Sequence, residues 1–133
     1  MNVILQTNSE SKRLELHDIR KSGRDYICSL VVESRGFSAN RLFHFDERHL
    51  KTFLENLNVM DAKLEGEAVL SHLFEDDQIT LKGFRNGHIV VSGSLVEHSE
   101  YSQRMEFCFQ TDQTILKPLI TDLDRLKSGG GEA

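Results

Sequence analysis

The feature that most constrains this chain is where its apolar residues change period. Through the first 45 residues they alternate; from residue 46 they fall at i, i+3, i+4, i+7; the chain then alternates again and ends on a second helical stripe. Residues 12–19 alternate around Leu14 and Leu16. Residues 24–33 put Tyr26, Cys28, Leu30 and Val32 on one face, and residues 37–45 end in Leu42-Phe43-His44-Phe45. All three segments read as strands, joined by turns at Ser22-Gly23 and Arg35-Gly36. Asp46 is placed to cap a helix, with Glu47 in its first turn. Leu50, Phe53, Leu54 and Leu57 form the stripe, which predicts an end near Asn58.

The second series of strands falls at 67–73, 78–84, 88–97 and 103–109, with Met105, Phe107 and Phe109 on one face. Asn86-Gly87 predicts a two-residue hairpin, since both residue types tolerate positive φ. Thr111 opens a capping turn before the stripe Leu116, Leu119, Ile120, Leu123 and Leu126, and Pro118 means that this helix either begins near 115 or bends at the proline. The expected class is therefore α+β: an antiparallel sheet of about six to eight strands with two amphipathic helices packed on one face.

The two series align with each other. Val3-Ile4-Leu5 matches Ala68-Val69-Leu70, Leu14 and Leu16 match Ile79 and Leu81, and Phe43 and Phe45 match Phe107 and Phe109. Leu50, Phe53, Leu54 and Leu57 match Leu116, Leu119, Ile120 and Leu123. This predicts one domain over 1–127 made of half-repeats 1–62 and 66–127, followed by a flexible tail over 128–133. The alternative stays open that any two strand-then-helix segments align if slid freely.

Length agrees with one domain: 133 residues bury about two thirds of their unfolded surface. No apolar run approaches the ~18 residues of a membrane span, and a start without basic residues, with three apolar residues in a row, predicts no signal peptide. Two cysteines are too few for a disulfide framework, so a reduced cytoplasmic setting is expected. Cys28 falls on a core face. Cys108 points the other way, beside Arg104 and Glu106 and a few residues before a helix start.

Sixteen basic against 21 acidic side chains give a net charge of −5, which argues against nucleic acid as a partner. That charge is unevenly placed. Residues 1–66 hold 10 basic and 10 acidic side chains, and residues 67–133 hold 6 and 11. The acidic runs Glu75-Asp76-Asp77 and Glu97 with Glu100 fall in the charged half. They suit either solvated turns or a patch that steers a basic protein partner. The six histidines lack zinc spacing, the carboxylates lack a calcium-loop frame, and no glycine-rich phosphate loop occurs, so neither metal nor cofactor is expected. His88, directly after Asn86-Gly87, is the residue that could pair with a carboxylate in acid–base chemistry; the bland alternative is a polar residue starting a strand.

Across residues 79–123 the chain carries Leu81, Gly87-His88-Ile89, Gly93 and Leu95, then Phe107 and Phe109 leading into Thr111-Asp112-Gln113-Thr114, then Leu116 and Leu119. This pattern resembles small bacterial immunity proteins of the WapI type and related domains without assigned function. It covers about a third of the chain well and the remainder by strand order. The resemblance implies a cytoplasmic, non-enzymatic protein that occludes the active site of a secreted toxin domain, often a basic nuclease. The shared residues are turn and capping residues: Asp112 and Gln113 would satisfy donors at the helix start and Gly87 would make a turn. The expected contact surface therefore rests on charge: Glu75, Asp76, Asp77, Glu97 and Glu100. Two other readings stay open, a homodimeric interaction module with a covered edge strand and a small His/carboxylate enzyme built on His88.

Overall fold

The computed structural model describes residues 1–129. The last four residues of the expected tail lie outside the described residues. Its first two, Ser128 and Gly129, finish the final helix: the Ser128 amide donates to the Asp124 carbonyl and the Gly129 amide to that of Leu126.

The strands are β1 (Val3–Ile4), β2 (Lys12–Ser22), β3 (Asp25–Ser34) and β4 (Phe37–Asp46), followed by helix α1 (Glu47–Lys63). Then come β5 (Gly66–Ser71), β6 (Gln78–Gly83), β7 (His88–Glu97), β8 (Gln103–Asp112), a 3-10 turn over Gln113–Ile115 and α2 (Leu116–Lys127). The α+β class holds: the described residues form eight antiparallel strands and two helices. The strands are divided between two sheets of four, in the orders β1-β2-β3-β4 and β5-β6-β7-β8.

Alternation decides which face each strand buries. Tyr26, Cys28, Leu30 and Val32 of β3 and Phe43 and Phe45 of β4 are buried, as are Phe107 and Phe109 of β8. Both helix stripes close on the same cluster of apolar residues, through Leu50, Phe53, Leu54 and Leu57 and through Leu116, Leu119, Ile120 and Leu123. The helices are placed reciprocally. α1, which follows the first sheet, packs against β5 of the second; α2, which follows the second, packs against β1 of the first; and the helices pack on each other.

Asp46 caps α1 as expected, its Oδ1 accepting from the His49 amide at 2.8 Å and lying 2.6 Å from the His49 ring. The helix runs past Asn58 to Lys63 because Met60, three residues beyond Leu57, extends the buried stripe. It stops at Leu64, which turns left-handed (φ 60°) and returns its amide to the Met60 carbonyl at 2.7 Å. Asp112 caps the second helical segment through the Thr114 amide, and Pro118 sits in the first turn of α2, where a missing N–H costs nothing. Gln113 acts through its own amide, which donates to the Gly87 carbonyl at 2.9 Å.

Two-residue turns close the β2–β3 hairpin, where Ser22 faces Asp25, and the β3–β4 hairpin, but not the hairpin at Asn86-Gly87. In the β3–β4 hairpin Ser34 faces Phe37, and both Arg35 (φ 53°) and Gly36 (φ 95°) are left-handed. At Asn86-Gly87 only the glycine has positive φ (88°). Phe84 and His88 pair across a three-residue loop, the Phe84 amide donating to His88 at 3.0 Å and the Gly87 amide to Phe84 at 2.9 Å. Asn86 instead accepts from the His88 amide through its side chain.

Candidate functional site

Each sheet runs up and down, so alternate hairpin loops share an end. Residues 72–77, between β5 and β6, and residues 98–102, between β7 and β8, therefore lie at the same end of the second sheet. His98 Nε2 lies 2.8 Å from Asp76 Oδ2 and ties the two loops together. The first loop also docks on β4, with the Leu73 amide donating to the His44 carbonyl at 2.8 Å.

Arg41 of β4 is the centre of this junction. Its Nε and Nη2 donate to the two carboxylate oxygens of Asp77 (3.1 and 3.4 Å), its Nη1 to Glu97 (2.6 Å) and its Nη2 also to the Val96 carbonyl (2.8 Å). Asp77 Oδ1 accepts from the Val96 amide as well, at 2.9 Å. The hydrogen bonds from Arg41 to Asp77 and then to Glu97 raise the guanidinium pKa above its usual range. One arginine from the first sheet thus clamps the loop and strand end of the second.

This geometry corrects part of the expected contact surface. Asp77 is buried, with 1% of its surface exposed, and its carboxylate is engaged by Arg41 and Val96, so it does not face solvent. The reason is parity: Asp77, Ile79 and Leu81 are alternate residues and share the core side. Glu97 is the last residue of β7 rather than a loop residue, and it shares Arg41. Glu75, Asp76 and Glu100 are exposed. Alongside them stand Phe74 and Tyr101, 71% and 76% exposed, and Leu42 on the outer side of β4. The Phe74 ring meets the His44 ring edge-on at 4.8 Å, and His44 is held in turn by Asp25 at 3.0 Å. Sequence reasoning missed Arg41, His72, Phe74 and Tyr101. For Arg41 a signal existed, since it shares parity with the buried Phe43 and Phe45 on β4.

His88 stands apart. It starts β7, at the end opposite the acidic loops, and is exposed. Its Nδ1 meets the Gln110 side-chain amide at 2.7 Å rather than a carboxylate, and its cross-strand neighbour Asp112 is engaged by the Thr114 cap. Cys28 is buried with its thiol pushed up to about 12 by burial, whereas Cys108 is exposed. Among the described residues no group of three or more His, Cys, Asp or Glu side chains could hold a metal ion. Among them, too, no helix is long and apolar enough to cross a membrane.

Fold and site together define a small α+β domain that carries a charged loop surface at one end of its second sheet. The model of the immunity protein WapI-like family matches residues 4–127, and the chain belongs to that family. No curated protein matches it significantly. Among solved structures, that of Trypanosoma bruciei MRP1/MRP2 is similar with a TM-score of 0.52 at 10% sequence identity, covering 99% of this chain and 87% of that one. At such identity the likeness is one of fold.

Proposed function

We propose that this chain neutralises a cognate toxin in the cytoplasm by binding it through the surface of residues 74–76 and 97–101. Membership of the WapI-like immunity family supports a toxin as the partner. The observation that carries the choice of surface is the junction of the two loops, which presents Glu75, Asp76, Glu97 and Glu100 beside the exposed rings of Phe74 and Tyr101. Exposed aromatic anchors within a charged rim have the composition of binding hot spots. The acidic rim suits a basic partner, whose approach it would accelerate at low salt.

The test is association with the toxin domain encoded beside this chain, followed by surface binding kinetics at two salt concentrations. Charge reversal at Glu75, Asp76 and Glu100 is expected to slow association at least tenfold at low salt. An unchanged rate removes the surface assignment, and a lack of any binding removes the immunity reading for that pair.

A second reading, self-association, is favoured by β4, an edge strand that leaves Phe37 and Leu42 exposed. Sedimentation of the pure chain decides it, since a monomer at micromolar concentration eliminates a stable dimer.

A further inference from the structure

His72 directly follows β5, and its amide closes the neck of the acidic loop by donating to the Asp77 carbonyl at 2.9 Å. Its ring does something less usual. Nδ1 lies 3.0 Å from the Phe74 amide and 3.2 Å from the Glu75 amide. Both are N–H donors, so Nδ1 accepts and carries no proton. The ring proton of the neutral form therefore sits on Nε2, and the Leu42 carbonyl of β4 favours a protonated ring. The ring is further fixed edge-on to Phe43, with a centroid separation of 5.3 Å.

A proton on Nδ1 would point at two N–H groups, so the cationic ring and these two hydrogen bonds exclude one another. The charges around the ring divide. Asp77 and Glu75 on the same loop favour the cation, while His44 on β4 opposes it. Asp25 of β3 reaches only the His44 ring, and Arg41 of β4 is taken up by Asp77 and Glu97. Burial of the ring outweighs the carboxylates and holds His72 below its ordinary value of 6.5.

We infer that His72 is a proton-operated latch: as the neutral ring it pins Phe74 and Glu75 through their amides, and on protonation it lets go of that segment. The consequence for binding, an acid-loosened contact surface, rests on the reading of Phe74, Glu75 and Asp76 as contact residues. The latch itself belongs to the isolated chain and is tested there, so its failure and the failure of the binding reading are separate outcomes.

Nuclear magnetic resonance of the full chain between pH 8 and pH 5 tests it. At pH 8 the His72 ring is expected as the Nε2–H tautomer. As the ring gains its proton, exchange protection of the Phe74 and Glu75 amides, corrected for the intrinsic pH dependence of exchange, should fall about fivefold, the weight of one hydrogen bond. The Val96 amide, held by Asp77, should keep its protection. In His72→Asn a side-chain oxygen can accept from the amide two residues on without titrating, so protection should persist to pH 5. In His44→Gln the transition should remain. A proton on Nδ1 at pH 8, an identical loss in His72→Asn, or disappearance of the transition in His44→Gln would each overturn the latch; the first needs no variant.

Discussion

Arg41 and Asp77 meet face to face, two guanidinium nitrogens against two carboxylate oxygens, with Asp77 wholly shielded from solvent and Arg41 largely so. The pair joins β4 of one sheet to the loop before β6 of the other. Removing the arginine leaves a buried carboxylate with only the Val96 amide to stabilise it. Arg41→Ala is expected to lower stability by about 3 kcal/mol. In chemical denaturation the double variant Arg41→Ala/Asp77→Ala should lose less than the sum of the single variants, because the two residues act as one unit.

Gly93 of β7 is tight for a different reason. A Cβ there would come within 2.5 Å of both the Gln78 carbonyl oxygen and the Phe107 ring. Gly93→Ala is expected to cost about 1–3 kcal/mol, read as a drop in thermal midpoint. Adding Phe107→Leu should recover only part of the loss, since the Gln78 carbonyl is backbone and cannot move aside.

Arg35 carries a left-handed backbone that arginine disfavours, at the first position of the β3–β4 turn. Arg35→Asn keeps the amide that donates to the Ser11 carbonyl and suits the conformation better. A gain of about 1 kcal/mol in denaturant unfolding is expected.

The two thiols should differ sharply. Cys108 is exposed, whereas Cys28 is buried, donates towards the Phe43 carbonyl and is pushed up to about 12 by burial. A thiol reagent at pH 8 should modify one cysteine per native chain and both after denaturation, with Cys108→Ser abolishing the native reaction.

Acid should weaken the fold in two stages. His72 is held below its ordinary 6.5 by burial, so the unfolded chain takes up that proton first. Its contribution is complete above pH 6.5 and is lost as pH falls from there towards the folded value. Among the described residues, three carboxylates lie below their ordinary values. Glu15 is lowered first by Arg13, and Asp112 by Thr114. At Asp46 burial works the other way but is outweighed by the amide and ring of His49. Their contribution is complete above the ordinary values of 4.5 for Glu15 and 3.8 for the aspartates, and is lost as pH falls below them. Unfolding midpoints against pH should show both stages, with His72→Asn flattening the first and Asp46→Asn, which keeps a capping side chain, reducing the second.

Local pattern made the fold readable. Alternation named the inward residues of β3 and β8, the i, i+3, i+4 stripe named the buried side of α1, and Asp46 announced its cap. Tertiary choices were hidden. Nothing local divides eight strands into two sheets, and Asn86-Gly87 carried the stronger turn chemistry although Arg35-Gly36 makes the tighter turn. The site was half legible. Glu75-Asp76-Asp77 reads as one solvated run because the partner that draws Asp77 inward, Arg41, lies 36 residues away. The His72 ring depends on a fold of the loop that its composition does not encode.

The reciprocal seating of the helices gives the two chain ends a common fate. β1 packs against α2, so Val3 and Leu123 line one apolar hole, together with residues of β2, α1, β5 and β6. Damage near residue 120 is therefore felt at residue 3. Neither half can be peeled away without stripping the cover from the other, so the chain should unravel as a single cooperative unit, its ends guarding each other like a clasp.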